Sequence, residues 1–236
     1  MWGLLQLTDS TFPTGAFTHS YGMESLVQEN KINDLKSAEE WLRICITNGW
    51  AQTDGLASIL TWEVVNGAET TKVRNALLLE QLSEIDMTLS ASRPAEEARH
   101  ASNSTGKRLL KEVAGIHKWP ILCDYQEWIK DHPLSRHLGN FAVIYGMIGA
   151  EIGWSVDLTG LASGYATSAG LVATLIKLVP LGQSEGQYLL SQLPEPISIA
   201  LHDQRGKNLG ELGASLPFWD IAQMRHESLY SRLFRS

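Results

Sequence analysis

Apolar residues recur at the helical spacing of three and four along nearly the whole chain. Ser37-Ala-Glu-Glu40 reads as a capping box, with Ser37 accepting from the Glu40 amide and Glu40 reaching back. Behind it Ala38, Trp41, Leu42, Cys45 and Gly49 share one face. The pattern runs on through Leu56, Ile59 and Leu60 to Val65, where Asn66-Gly67 stops it. The spacing predicts a second helix over 71–89, with Val73, Ala76, Leu77, Leu79 and Leu82 inward. A third has Pro94 in its first turn and runs through Arg99 to Leu109-Leu110. Trp119-Pro120 and His132-Pro133 bracket a short element. Two apolar helices follow over 137–152 and 157–179, the second capped by Asp157 and closed by Pro180 and Gly182. Shorter helices are predicted over 186–193 and 196–202, and a last one from Pro217. Alternation suited to a strand is confined to Ile197–Leu201. The expected fold is all-α: a single globular multi-helix domain over 1–236, with helices of mixed length around one core.

Composition narrows the partners. The 236 residues carry a formal charge of -7, which argues against wide contact with nucleic acid or an anionic membrane. Cys45 and Cys123 fit no metal or redox spacing and suit a reducing compartment, each as a small buried hydrophobe. The first residues lack the basic flank and apolar run of a signal peptide, so the expected location is the cytoplasm. Between Leu138 and Ile176 only Glu151 and Asp157 are charged, but polar residues and Gly153-Trp154-Ser155 divide the stretch. Two buried core helices are expected there instead of a membrane span. Gly160 and Gly164, four apart, predict close helix packing within one chain or between two copies.

Catalytic motifs are degraded. Thr105-Gly106-Lys107-Arg108 resembles the end of a phosphate loop, but Ala101 stands where the upstream glycine belongs, and Arg108 replaces the hydroxyl residue that would hold magnesium. Ala166-Thr-Ser-Ala-Gly170 places Ser168 in mid-helix with no strand before it, unlike a nucleophile elbow. His132 and His137 lack zinc spacing, and His226 has no second histidine at the required offset. The expectation is a protein that is not an enzyme and holds no metal of its own.

Three segments look specified beyond packing. In the first, Phe12-Pro13 and Gly15 fix a turn around which Phe17, His19 and Tyr21 cluster, and Ser20-Tyr21-Gly22-Met23-Glu24 opens a helix. The second, 177–187, is a helix stop with a quick restart. The third is the final stretch from His226. Leu229, Tyr230, Leu233 and Phe234 recur there at helical spacing, and Arg232 and Arg235 offer rigid forks to carboxylates. Composition leaves two readings of this stretch open: a last helix docked on its own core, or a segment ordered by binding another protein, and so partly disordered alone.

Taken in order, several motifs resemble one family. They are Leu5-Gln6-Leu7, Phe12-Pro13-x-Gly15, His19-Ser20-x-Gly22-x-Glu24, Arg93 with Glu97-x-Arg99 and Gly106, Lys177-Leu-Val-Pro180 with Gly182-Gln183, and His226-Glu227-x-x-Tyr230-Ser231-Arg232-Leu233. Together they resemble the urease accessory protein UreF family. Phe17 departs mildly, since some relatives carry Tyr there. The resemblance implies an all-helical, cytoplasmic, non-enzymatic scaffold, dimeric within its complex. It implies binding to UreD (also called UreH), recruitment of the GTPase UreG and help in loading nickel into apo-urease, with nickel handled by the complex. It also implies a partner-binding helix and tail over 217–236. The partner-binding residues would be Phe12, Pro13, Gly15, Phe17, His19, Tyr21, Arg93 and Gln183, with His226, Glu227, Tyr230, Ser231, Arg232, Leu233, Phe234 and Arg235. An alternative is a regulator of GTP hydrolysis by UreG, acting through an exposed arginine such as Arg232, Arg235 or Arg93.

Overall fold

Twelve α-helices make up the body of the protein in a computed structural model, which describes residues 2–9, 11–67 and 72–236; among these no strand occurs. α1 (Trp2–Thr8) and α2 (Met23–Gln28) flank the N-terminal turn. α3 (Leu35–Ile44) starts earlier than the Ser37 signal suggests. Asp34 is its N-cap and accepts from the Ser37 amide at 2.8 Å, so Ser37 is the third helical residue, not the cap. The expected long helix to Val65 is broken. After α3 the chain makes one π-helical turn over Cys45–Gly49 and a 3₁₀ turn over Trp50–Gln52, then restarts as α4 (Asp54–Gly67). The break lets the Trp219 ring and Leu216 press on Gly49, where any β-carbon would lie 2.6 Å from the ring. Apolar periodicity alone does not record such an approach.

α5 (Lys72–Ala91) buries Leu79, Leu82, Ile85 and Leu89 but leaves Leu77 exposed, so its inward face is rotated from the expected one. α6 (Glu96–His117) begins two residues after Pro94, and α7 (Pro120–Asp131) lies between the two proline signals. α8 (Phe141–Ile152) is apolar on every side, and every residue from Ala142 to Gly149 is buried, as expected of a central helix. α9 (Val156–Leu178) is capped by Ser155, whose hydroxyl accepts from Leu158 N at 3.2 Å, not by Asp157. By length and composition α9 could cross a membrane, but it packs against α4 and α8 and against α10 (Gln183–Ser191) and α11 (Pro194–His202). Its Gly160 and Gly164 meet Leu201, Ile197 and Trp50 of the same chain, so the close packing is internal. The strand candidate Ile197–Leu201 lies inside α11. α12 (Pro217–His226) closes the helical set.

Buried apolar side chains form two clusters inside this one body. The first gathers α4, α5, α6, α7 and α8 around Leu56, Leu82, Leu109, Tyr125 and Tyr145. The second gathers α2, α3, α9, α10 and α11 around Met23, Leu42, Ile46, Leu175 and Ile197. Between them the N-terminal turn and α12 roof a cavity of about 110 Å³.

Candidate interaction site at the joined chain ends

The N-terminal turn is held by backbone geometry. Gly22 (φ 80°) caps α2, and a β-carbon there would lie 2.6 Å from the Gln223 amide nitrogen, so only glycine lets α12 settle on the turn. α12 is pinned further by Trp219 Nε1, which donates to Tyr21 O at 2.6 Å, and by the Arg225–Glu29 pair at 2.9 Å. Phe12 is buried in the first cluster, Pro13 is exposed and Phe17 is 51% exposed.

Past His226 the chain is not helical. Residues 232–236 run over the N-terminal turn with Phe234 and Ser236 buried and Arg232, Leu233 and Arg235 exposed. The helical spacing of Leu229, Tyr230, Leu233 and Phe234 does not continue α12, because the amides find better acceptors outside the segment. Leu233 N donates to Glu24 Oε1 at 2.7 Å and Phe234 N to Glu24 Oε2 at 3.0 Å. Arg235 N donates to Thr18 O at 2.9 Å, and Gln28 Nε2 donates to Ser231 O at 3.1 Å. Ser20 N and Tyr21 N both donate to Ser236 O, and His19 Nδ1 lies 2.8 Å from Ser236 Oγ. Lys177 Nζ stands 5.9 Å from the Phe17 ring centre and 5.6 Å from that of Phe234, within cation–π range. The two end segments therefore meet at one place, joined there by Lys177 from the start of the 177–187 segment.

His226, the last residue of α12, is fully buried. Its Nδ1 lies 2.7 Å from Glu97 Oε2 and its Nε2 3.2 Å from Glu24 Oε2, while Arg232 donates to Glu97 Oε1 at 2.6 Å. Glu227, Tyr230 and Ser231 are exposed, Tyr230 completely. Gln183 is exposed on the first turn of α10. Arg93 is not an exposed arginine: its Nη2 donates to both Asp54 carboxylate oxygens, at 2.6 and 2.7 Å, and it lines the cavity with Trp50, Ser102 and Tyr21. Trp50 Nε1 and Ser102 Oγ are buried without a hydrogen-bond partner among the described residues, and both line the cavity.

The sequence reading missed Asp54 as the partner of Arg93, and it carried Glu24 only as part of a motif. No local signal marks Glu24, since its ligands lie over two hundred residues away. The motifs weighed for chemistry resolve into packing. Gly106 abuts the backbone of Gly139 and Asn140, Lys107 donates to Ser135 O at 2.7 Å, and Ser168 Oγ is buried with no hydrogen-bond partner among the described residues. Among the described residues no three His, Cys, Asp or Glu side chains are placed to hold a metal ion. Both cysteines are free; Cys45 is buried, which raises its thiol pKa, and Cys123 is half-buried.

Burial, with Arg235 and then His100 and Arg108 nearby, pushes His19 down to about 4. His19 is therefore neutral in the docked arrangement and regains an ordinary value near 6.5 when undocked. A depressed histidine stabilises the docked state above 6.5, and the stabilisation is lost as pH falls toward 4. The part of the effect that falls between pH 7 and pH 5 is on the order of 1 kcal/mol. Amide-exchange protection of 234–236 is expected to fall over that interval in the wild type. In His19→Gln the fall should be smaller, and an identical fall in both proteins would show that His19 is not the titrating group.

Fold and site together define a class: an all-helical protein whose two ends are joined into one contact surface. The UreF family model matches residues 32–194. The urease accessory protein UreF of Actinobacillus pleuropneumoniae serotype 5b (strain L20) is 33% identical over 233 residues, covering 99% of this chain and 97% of its own length. That of Bacillus sp. (strain TB-90) is 31% identical with coverage of 99% and 97%, and that of Haemophilus influenzae (strain PittEE) 31% with 99% and 94%. The chain belongs to the UreF family of urease accessory proteins.

Proposed function

We propose that this protein is a non-enzymatic maturation scaffold that works in the cytoplasm and uses its joined ends to bind a UreD/UreH-type partner. Through that complex it recruits the GTPase UreG for nickel insertion into apo-urease. Nickel is cargo of the assembly, and the scaffold acts in it as a dimer. The observation that carries the reading is the apolar surface left on the joined ends. Tyr230 is fully exposed, Leu233 67% and Phe17 51%, and on α12 Phe218, Ile221 and Met224 stand out at helical spacing. Aromatics, Met and Arg clustered on one surface are the composition of interface anchors. The relatives named above are called accessory proteins, which supports a role in assembly over one in bond-making. Regulation of GTP hydrolysis by an inserted arginine has less support. Arg93 is engaged with Asp54 and Arg232 with Glu97, which leaves Arg235 as the exposed candidate of the three.

Tyr230→Ala combined with Leu233→Ala removes two exposed side chains without opening a cavity. The variant should fold as the wild type does and lose at least tenfold in affinity for a UreD-type partner, read by co-purification and titration. Undiminished binding would remove the tail from the interface.

A further inference from the structure

The cavity between the two core clusters is built more like a ligand site than like a gap in packing. Its volume of about 110 Å³ is several times the ~10–15 Å³ that one water needs, enough for a small molecule of one ring. Tyr21, Trp50, Phe141 and Trp219 contribute rings to its wall. On the α9 side the wall is made of small residues, Ala166, Thr167 and Gly170. Gly170 differs from Gly160 and Gly164 of the same helix, which sit against Leu201, Ile197 and Trp50: a β-carbon on Gly170 would meet no atom within 4 Å. Glycine inside a helix is unfavourable relative to alanine, and here it leaves space instead of making a contact. Trp50 Nε1 and Ser102 Oγ, without a hydrogen-bond partner among the described residues, belong to side chains of the wall, and each residue is only 3% exposed. Unpaired polar atoms in the interior are costly, and an occupant of the cavity is what can pair them.

The wall also selects the kind of occupant. An indole N–H can only donate, so it calls for an acceptor atom, which an ammonium group lacks. Asp54 and Asp220 both line the cavity, and Arg93 is already paired with Asp54, so a carboxylate or phosphate would face uncompensated negative charge. A neutral hydroxyl meets both demands: its oxygen accepts from Trp50 and its proton is free for Ser102. The surrounding rings favour an apolar body behind that hydroxyl. We propose that the cavity is a binding site for a small uncharged molecule of one ring carrying a hydroxyl, a phenol in chemical class, and that its occupant steadies α12. The second part follows from the roof: Trp219, Asp220 and Gln223 belong to α12, so lifting that helix opens the site. The site is separate from the proposed partner surface, since Phe218, Ile221 and Met224 of the same helix are exposed and take no part in the lining.

The test uses the full-length protein with phenol as the probe. The Trp50 Nε1–H resonance, assigned from its loss in Trp50→Phe, should move downfield along a saturating curve with a Kd of about 1 mM, within reach of so small a ligand. Benzoate and benzylammonium present the same ring with a negative or a positive charge, and each should bind at least about tenfold more weakly. With phenol at about ten times its Kd, amide exchange over 219–223 should slow about tenfold. Gly170→Leu fills the space with no clash at its β-carbon, so it should fold as the wild type does while phenol binding falls beyond detection. Ser102→Ala, expected to weaken phenol about fivefold, is the second variant should Gly170→Leu fail to fold. No saturating shift in the wild type, or undiminished binding by either folded variant, overturns the site. A charged probe that binds as tightly as phenol overturns the ligand class, and binding that leaves exchange over 219–223 unchanged overturns the effect on α12. The scaffold reading fails by a different result, namely intact partner binding by the Tyr230→Ala, Leu233→Ala protein.

Discussion

Asp86→Ala is expected to destabilise the protein by about 3–5 kcal/mol, the range for removing one member of a buried charged network. At this chain length that lowers the melting temperature by roughly 10 °C. Asp86 is fully buried in α5, and its carboxylate is the common acceptor for four donors. Tyr125 OH lies at 2.6 Å, Gly139 N at 2.5 Å and Asn140 N at 2.9 Å, and the Asn140 side-chain amide is the fourth. That amide also donates to Ser90 Oγ at 2.8 Å, and Ser90 donates to His137 O at 2.6 Å. Alanine would strand two backbone amides and a phenol in the interior. Burial raises the Asp86 pKa against the pull of these bonds, and burial with the Asp86 charge holds Tyr125 well above the usual phenol range, so Tyr125 stays a donor. The network sets the turn 138–140 that launches α8, and through Arg93, which donates to Asn140 Oδ1 at 3.3 Å, it reaches Asp54 at the cavity. Calorimetry checks the prediction, and a shift below about 2 °C would mean that the turn is held by other contacts.

The second large effect falls on the opposite side of the same turn. Gly106→Ala is expected to cost about 3 kcal/mol, at the upper end for forcing volume into a packed interior. A β-carbon there would overlap the Gly139 carbonyl oxygen and stand 2.5 Å from Phe141 N and 2.6 Å from the Asn140 carbonyl carbon. These are backbone atoms, which cannot move aside as the end of a long side chain can. α6 would have to withdraw from the start of α8, stretching the Asn103 Nδ2 to Arg136 O bond of 2.8 Å and the Lys107 to Ser135 contact of 2.7 Å. Because both substitutions act on residues 139–141, the double variant should be less unstable than the sum of the two. Denaturant melts of the two single variants and the double variant measure this, and strict additivity would contradict a shared target.

The helices were largely legible because the chain carries its own punctuation. Pro120 and Pro133 bracket α7, Gly153 ends α8, Pro180 ends α9, and Pro217 opens α12. Caps were less legible. Asp34 and Ser155 are the caps where Ser37 and Asp157 are expected, since short polar residues two or three positions apart are equally able to cap. The break over 45–53 left no periodic trace because its cause, the Trp219 ring on Gly49, lies far along the chain. Asp86 reads as one more polar position on a helix, and only the amides of 139 and 140 make it a buried acceptor.

The candidate site was half legible. Its residues stood out by type: Phe17, His19 and Tyr21 in one turn, Lys177 before a helix stop, Tyr230, Arg232 and Phe234 at the end. Periodicity misjudged their conformation, because a helical reading of 229–234 assumes that each amide bonds four residues back. Glu24, Thr18 and Gln28 supply stronger or better-placed partners, and the chain extends to reach them. Local sequence sets which backbone conformations are cheap, so the all-α class and the rough limits of most helices are determined by the chain alone, while α1 and the division of the expected 37–65 helix into α3 and α4 are not. Which face turns inward, where a helix breaks, and whether a carboxylate faces water or the amides of a distant segment depend on contacts formed only when remote residues are brought together. The tertiary structure alone decided those, and with them the joining of the two ends into one surface.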